Sequence, residues 1–150
     1  MQLDELYRQV IMDHYQHPRN QGEVQGDAMT VDLKNPTCGD EIHLQLALQG
    51  DVVNDVRFKG AGCSISMSSA SMMTEAVKGK SLQDALLIMA EFKKMIRGED
   101  YDEELLGDLE ALSGISKFPA RVKCATLAWN ALERMGNAIT SIRNDDNCVG

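Results

Sequence analysis

From Ile42 to Val77 the chain reads IHLQLALQGDVVNDVRFKGAGCSISMSSASMMTEAV, and the period of its apolar residues changes once along the way. Ile42, Leu44, Leu46 and Leu48 alternate with polar neighbours, the two-residue repeat of a strand with one covered face. Gly50-Asp51 is a turn, and Val52 to Phe58 follows as a second strand, so the two predict a hairpin. Beyond Phe58 the repeat becomes helical: Met67, Ala70, Met73, Thr74 and Val77 fall on one face of a helix over Ser64–Val77. Between the two periods stands Gly60-Ala61-Gly62-Cys63-Ser64.

Working outward, Met29, Val31 and Leu33 alternate with polar residues and give an earlier strand. Alternation of this kind belongs to an antiparallel sheet with one solvated face. Before it, Leu3, Leu6, Tyr7, Val10, Ile11, His14 and Tyr15 share a helical face, which His17-Pro18 ends, because the residue before a proline is driven out of the helical region. Asn20-Gln21-Gly22 reads as a turn. After Val77, Leu82, Ala85, Leu86, Met89, Phe92 and Ile96 form a helical face with Ser81 placed to cap it. A last helix is predicted over Pro119 to Met135, with Val122, Ala125, Ala128, Trp129 and Leu132 on one side and Pro119 in its first turn. The tail from Arg143 to Gly150 is expected to fray. Strands first and helices after give an α+β fold, a small three-stranded antiparallel sheet with helices packed on one face. We find no repeat or linker that divides the chain, so residues 1–150 are expected to form one domain.

The chain has 150 residues, enough to bury a core without disulfides, and is 43% hydrophobic and 25% charged. No apolar run reaches the roughly 18–20 residues of a membrane span. The opening MQLDELYRQV mixes acids among its apolar residues, unlike a signal peptide, so the expected compartment is the cytoplasm. The net charge of −8 is uneven: Glu99–Glu110 holds seven acids and no Lys or Arg, and the remainder carries 16 acids against 15 bases. No basic block exists to hold a phosphate backbone, which argues against nucleic acid as a partner. The acidic segment reads as a solvated loop with short local structure at best. Its sharper alternative is a docking surface for a basic partner.

Three of the four cysteines sit at element boundaries. Cys38 lies in Asn35-Pro36-Thr37-Cys38-Gly39-Asp40, Cys63 between the third strand and the next helix, and Cys124 near the start of the last helix. A cysteine at a helix N-terminus is a better thiolate, and glycines beside it let backbone approach an ion. Three thiolates with Asp40 would make a four-ligand set suited to zinc, or to iron in an iron–sulfur cluster. Three buried small hydrophobes would account for the same cysteines, because free cysteine is commonly buried. No pair has the Cys-x-x-Cys spacing that would decide between these. Cys148 stands outside every motif and reads as a free thiol. His14, His17 and His43 read as structural or solvated residues, and Met67, Met72 and Met73 as core filler.

Asn35-Pro36-Thr37-Cys38-Gly39-Asp40, Gly60-Ala61-Gly62-Cys63-Ser64-Ile65-Ser66 and Lys123-Cys124 resemble the three cysteine motifs of the IscU/NifU-type iron–sulfur assembly proteins. The resemblance runs from Leu6-Tyr7, through His14-Tyr15 and Pro18-Arg19-Asn20, to Trp129. It is stronger to the SufU branch of that family. Lys123 stands where the IscU branch has histidine, about twenty residues over 92–112 separate the two later helices, and Ser116-Lys117-Phe118-Pro119-Ala120-Arg121 is similar to that branch. The resemblance implies an IscU/NifU-like fold and a zinc site of Cys38, Asp40, Cys63 and Cys124. It implies Cys38 as sulfur acceptor, a SufS-type cysteine desulfurase as donor, and a downstream iron–sulfur assembly scaffold as recipient. Lys123 and Arg121 would support the site, Arg121 by favouring thiolate or touching the partner, unless it is merely a solvated charge at a helix start.

Two functions compete. One is a zinc-dependent sulfurtransferase; the other is a non-enzymatic scaffold that assembles and passes on a [2Fe–2S] cluster on the same ligands. Lys123 and the 92–112 insertion favour the first. A zinc hydrolase lacks a general base, since Glu41 begins a strand and is expected to face solvent.

Overall fold

The computed structural model describes the backbone of residues 2–35 and 39–149, and side chains over 5–35 and 39–141. Its elements are helix α1 (Gln2–Gln16), strands β1 (Met29–Asn35), β2 (Asp40–Gln49) and β3 (Val52–Ala61), and helices α2 (Ser64–Val77), α3 (Leu82–Ile96), α4 (Glu103–Leu106) and α5 (Pro119–Val149). A 3-10 helix, Gly107–Lys117, joins the last two. The strands form one antiparallel sheet in the order β1-β2-β3.

Ile42, Leu44 and Leu46 of β2 and Val53, Val56 and Phe58 of β3 are buried against the helices, while the residues between them face outward. Gln49 pairs with Val52 across the predicted two-residue turn. At the other end of the sheet Asn35 pairs with Asp40, so the connection carrying Cys38 is held closed at its base. Gln21 lies beside Phe58 as a parallel bridge, with Phe58 N–H donating to Asn20 O and Gly22 N–H to Phe58 O. The expected turn at 20–22 therefore also covers the edge of β3, a protection that open strands need.

The helices do form on one face. α2 is nearly all buried, and its hydroxyls are spoken for: Ser68 donates to Ile11 O at 2.8 Å and Ser69 to Ala125 O at 2.6 Å. Trp129 stacks on Phe92 at 4.3 Å between centroids, joining α3 to α5. Ser81 caps α3, accepting from Asp84 N–H at 3.0 Å.

Three expectations need correction. In α1, Tyr7, Val10, Ile11 and His14 turn toward the core, but Leu6 and Tyr15 are exposed, and the side chain of Leu3 lies outside the described residues. The last helix passes Met135, because Ile139 continues its buried stripe one turn on. The expected fraying over 143–150 concerns side chains outside the described residues. The acidic segment is also not a solvated loop. Its acids are largely exposed, but Leu106, Leu109 and Leu112 are buried in the main core. Apolar residues three apart suit the three-residue turn of a 3-10 helix.

Candidate metal centre

The strand register places Asp40. Ile42 pairs with Gly60, so the first residue of β2 reaches past the end of β3 to the Gly62-Cys63 corner. Cys63 is the N-cap of α2, in extended conformation, and its own N–H donates to Asp40 Oδ1 at 3.1 Å. Its Sγ lies 3.7 Å from Asp40 Oδ2. Cys124 comes from the early turns of α5. One ligand atom each from Asp40, Cys63 and Cys124 lie within 4.8 Å of one another. Asp40 and Cys124 are buried, Cys63 half-buried.

Two glycines make this approach possible. A β-carbon on Gly62 would come within 2.6 Å of both Asp40 Oδ1 and Ser66 Oγ, and one on Gly60 would strike the Glu41 carbonyl. Between the two cysteine-bearing helices, Trp129 Nε1–H donates to Ser69 Oγ at 3.0 Å, and Ser69 donates to the carbonyl of Ala125, the neighbour of Cys124. This buried bridge fixes α2 against α5, and with it the distance between the two sulfurs.

Two sulfurs and a carboxylate oxygen are a donor set that zinc accepts. With Zn–S near ~2.3 Å and Zn–O near ~2.0–2.2 Å, a tetrahedral edge between sulfur and oxygen is about 3.5–3.7 Å, which the observed 3.7 Å matches. Cys38, the fourth residue named from sequence, lies outside the described residues, as does the side chain of Cys148. Arg121 and Lys123 are exposed on either side of half-buried Val122. Glu41 is exposed, as expected, in an ion pair with Lys34. His14 is buried, its Nδ1 2.8 Å from Ser71 Oγ; His43 pairs with Asp32 on the outer face of the sheet; and His17 is exposed beside Asp13. None of the three histidines joins the metal-ligating group. Sequence reasoning did not single out Ser66 and Ser69 as individuals. Their signal was a run of small hydroxyl residues at positions where a buried helix would otherwise be apolar. A cleft of about 520 Å³ is lined by Tyr7, Ile11, Ser64, Ile65, Lys117 and Phe118 among others.

The model of the NifU-like N-terminal domain matches residues 6–125. A Bacillus subtilis protein described as zinc-dependent sulfurtransferase SufU is 60% identical over 133 residues, covering 88% of this chain and 90% of that protein. The iron–sulfur cluster assembly scaffold protein IscU of Streptococcus pyogenes is 46% identical, covering 87% and 82%. A crystal structure of FiSufU from Fervidobacterium islandicum, described as an iron–sulfur cluster assembly scaffold protein for the SUF system, superposes with a TM-score of 0.80 at 36% identity. It covers 83% of this chain and 91% of that one. With the family match spanning most of the chain and these relatives covered nearly end to end, the chain belongs to the NifU-like N-terminal domain family, together with SufU and IscU proteins.

Proposed function

We propose that this protein is a zinc-dependent sulfurtransferase of iron–sulfur cluster assembly, with Cys38 accepting sulfur from a SufS-type cysteine desulfurase. The carrying observation is the convergence of Asp40, Cys63 and Cys124, in a chain 60% identical to a relative that bears this activity in its name. Cys38 stands two residues before Asp40 in the sequence.

In the reaction, the Cys38 thiolate attacks the terminal sulfur of the partner's cysteine persulfide. The partner's S–S bond breaks, a new S–S bond forms on Cys38, and the partner cysteine leaves as thiolate. No electrons are gained or lost overall, and the rate follows thiolate fraction and access. Zinc, when bound, holds thiols deprotonated and has no redox chemistry with which to oxidise a persulfide. The chain's own groups orient the site: Cys63 N–H fixes the Asp40 carboxylate, and the Ser69–Trp129 bridge fixes Cys124 against Cys63. Exposed Phe118, with Arg8 and Lys117 along the cleft beside Ser64, offers the desulfurase an apolar surface with a positive rim. The recipient is a downstream iron–sulfur assembly scaffold. Among the described residues no helix is long and apolar enough to cross a membrane.

The test is desulfurase turnover with and without this protein, together with metal analysis. Cys38→Ala should stay folded and lose stimulation. Equal stimulation by wild type and Cys38→Ala would refute Cys38 as acceptor. The 46% identity to an IscU scaffold supports a second reading, in which the site builds and transfers a [2Fe–2S] cluster. Colourless protein with one zinc favours transfer; brown protein with iron and sulfide favours scaffolding.

A further inference from the structure

We propose that Ser66 is a positioning residue for the metal centre, its hydroxyl holding the Cys63 side chain in ligand geometry. The inference rests on the metal-binding reading above. Ser66 stands one turn into α2 from Cys63 and is 2% exposed. Its Oγ–H donates to the Cys63 carbonyl at 3.0 Å, and the same oxygen lies 3.6 Å from Cys63 Sγ. A hydroxyl has one hydrogen and two lone pairs, so this single oxygen can engage both the backbone and the sulfur of one ligand residue. Ser66 Oγ and Asp40 Oδ1 also crowd the same point above Gly62, each 2.6 Å from where a β-carbon would stand. The hydroxyl therefore shares one small, filled volume with two of the ligand residues.

The other buried hydroxyls of α2 do different work. Ser68 ties the helix to α1, Ser69 to α5, Ser71 to His14, and Thr74 to the backbone of Arg19. Ser66 turns to the cysteine instead. Groups that bond to a metal ligand commonly carry 10–100-fold of metal affinity, because they fix its rotamer and relieve its remaining lone pairs.

The experiment measures zinc affinity by competition with a chromophoric chelator. It also records the thiolate-to-cobalt charge-transfer spectrum of the Co²⁺-loaded protein and the thermal midpoint without metal. Ser66→Ala should bind zinc roughly 10–100-fold more weakly and show a displaced charge-transfer band. Ser68→Ala, on the same helix but away from the sulfur, should lose stability and keep wild-type affinity. Ser66→Thr should bind zinc more tightly than Ser66→Val, its equal in shape without the hydroxyl; that pair decides the matter if Ser66→Ala does not fold. Wild-type affinity and spectrum in Ser66→Ala would overturn the proposal, as would equal loss in Ser68→Ala or equal binding by the Thr and Val variants. A wild-type protein that takes up neither zinc nor cobalt would sink the metal-binding reading itself, an outcome separate from any effect of Ser66.

Discussion

At Gly62 no methyl group fits: it would sit 2.6 Å from the Asp40 carboxylate and from Ser66 Oγ. The glycine beside Cys63 therefore serves the close approach of Asp40 and Ser66. His14 is the other residue whose surroundings carry a consequence. Burial holds its pKa below the usual imidazole value, and the nearby Arg19 charge adds to this, while Glu75, Asp13 and Asp108 pull the other way. In the unfolded chain His14 protonates near pH ~6.5, while in the folded protein it stays neutral to lower pH. The unfolded state therefore binds the extra proton first, and stability falls as pH drops below about 6.5 toward the folded pKa. His14→Gln should be less stable at pH 7, through loss of the Ser71 bond, but its thermal midpoint should fall less between pH 7 and pH 5 than that of wild type. Parallel slopes would mean that His14 titrates alike in both states.

Among elements, the joint between α2 and α5 matters most to the site. Ser69 accepts from Trp129 and donates to Ala125 O, and all three residues are fully buried. Ser69→Ala strands the indole N–H, and an unsatisfied buried donor costs about 1–3 kcal/mol. We expect a lower urea midpoint with unchanged slope, and weaker zinc retention because the two sulfurs are less firmly spaced. A variant with the wild-type midpoint would remove the bridge from the account. The 3-10 helix left a signal in the sequence as Leu109, Leu112 and Ile115, one apolar residue every three. The surrounding acids hid it, since a window scored for charge reads as solvated.

At the scale of the whole molecule the charge is lopsided, and the fold presents the acids of 99–110 outward on a packed segment. Three of them are occupied: Glu99 pairs with Arg97 at 2.6 Å, Asp102 caps α4 through Leu105 N–H, and Glu110 accepts from the Tyr101 hydroxyl at 2.8 Å. Asp100, Glu103 and Glu104 are exposed and outside these contacts, so Asn and Gln there test the field without loosening the fold. If the segment steers the desulfurase, the triple variant should associate several-fold more slowly at low salt. Its rate should also depend less on salt, because exposed charges act over a Debye length of about 8 Å at physiological ionic strength. Zinc content should not change. Wild-type rates at every salt concentration would leave these acids a solvated face only.

The sequence by itself determined the class of fold, the three strands and their hairpin, the cap at Ser81, the helix start at Pro119, and the boundary positions of Cys63 and Cys124. These are written in local periods and in single residues with strong backbone preferences, which act before any tertiary contact forms. It also offered Asp40 as a fourth ligand beside the three cysteines, with buried small hydrophobes as the alternative for those cysteines, and only the family resemblance favoured the ligand set. Tertiary structure decided what local pattern could not encode. The register Ile42↔Gly60 carries Asp40 to the Cys63 corner, and a hydroxyl-to-indole bridge sets α5 so that Cys124 arrives at the same point. Register and helix docking depend on how the whole core packs at once, so the meeting of Asp40, Cys63 and Cys124 is a property of the folded chain and of no stretch within it.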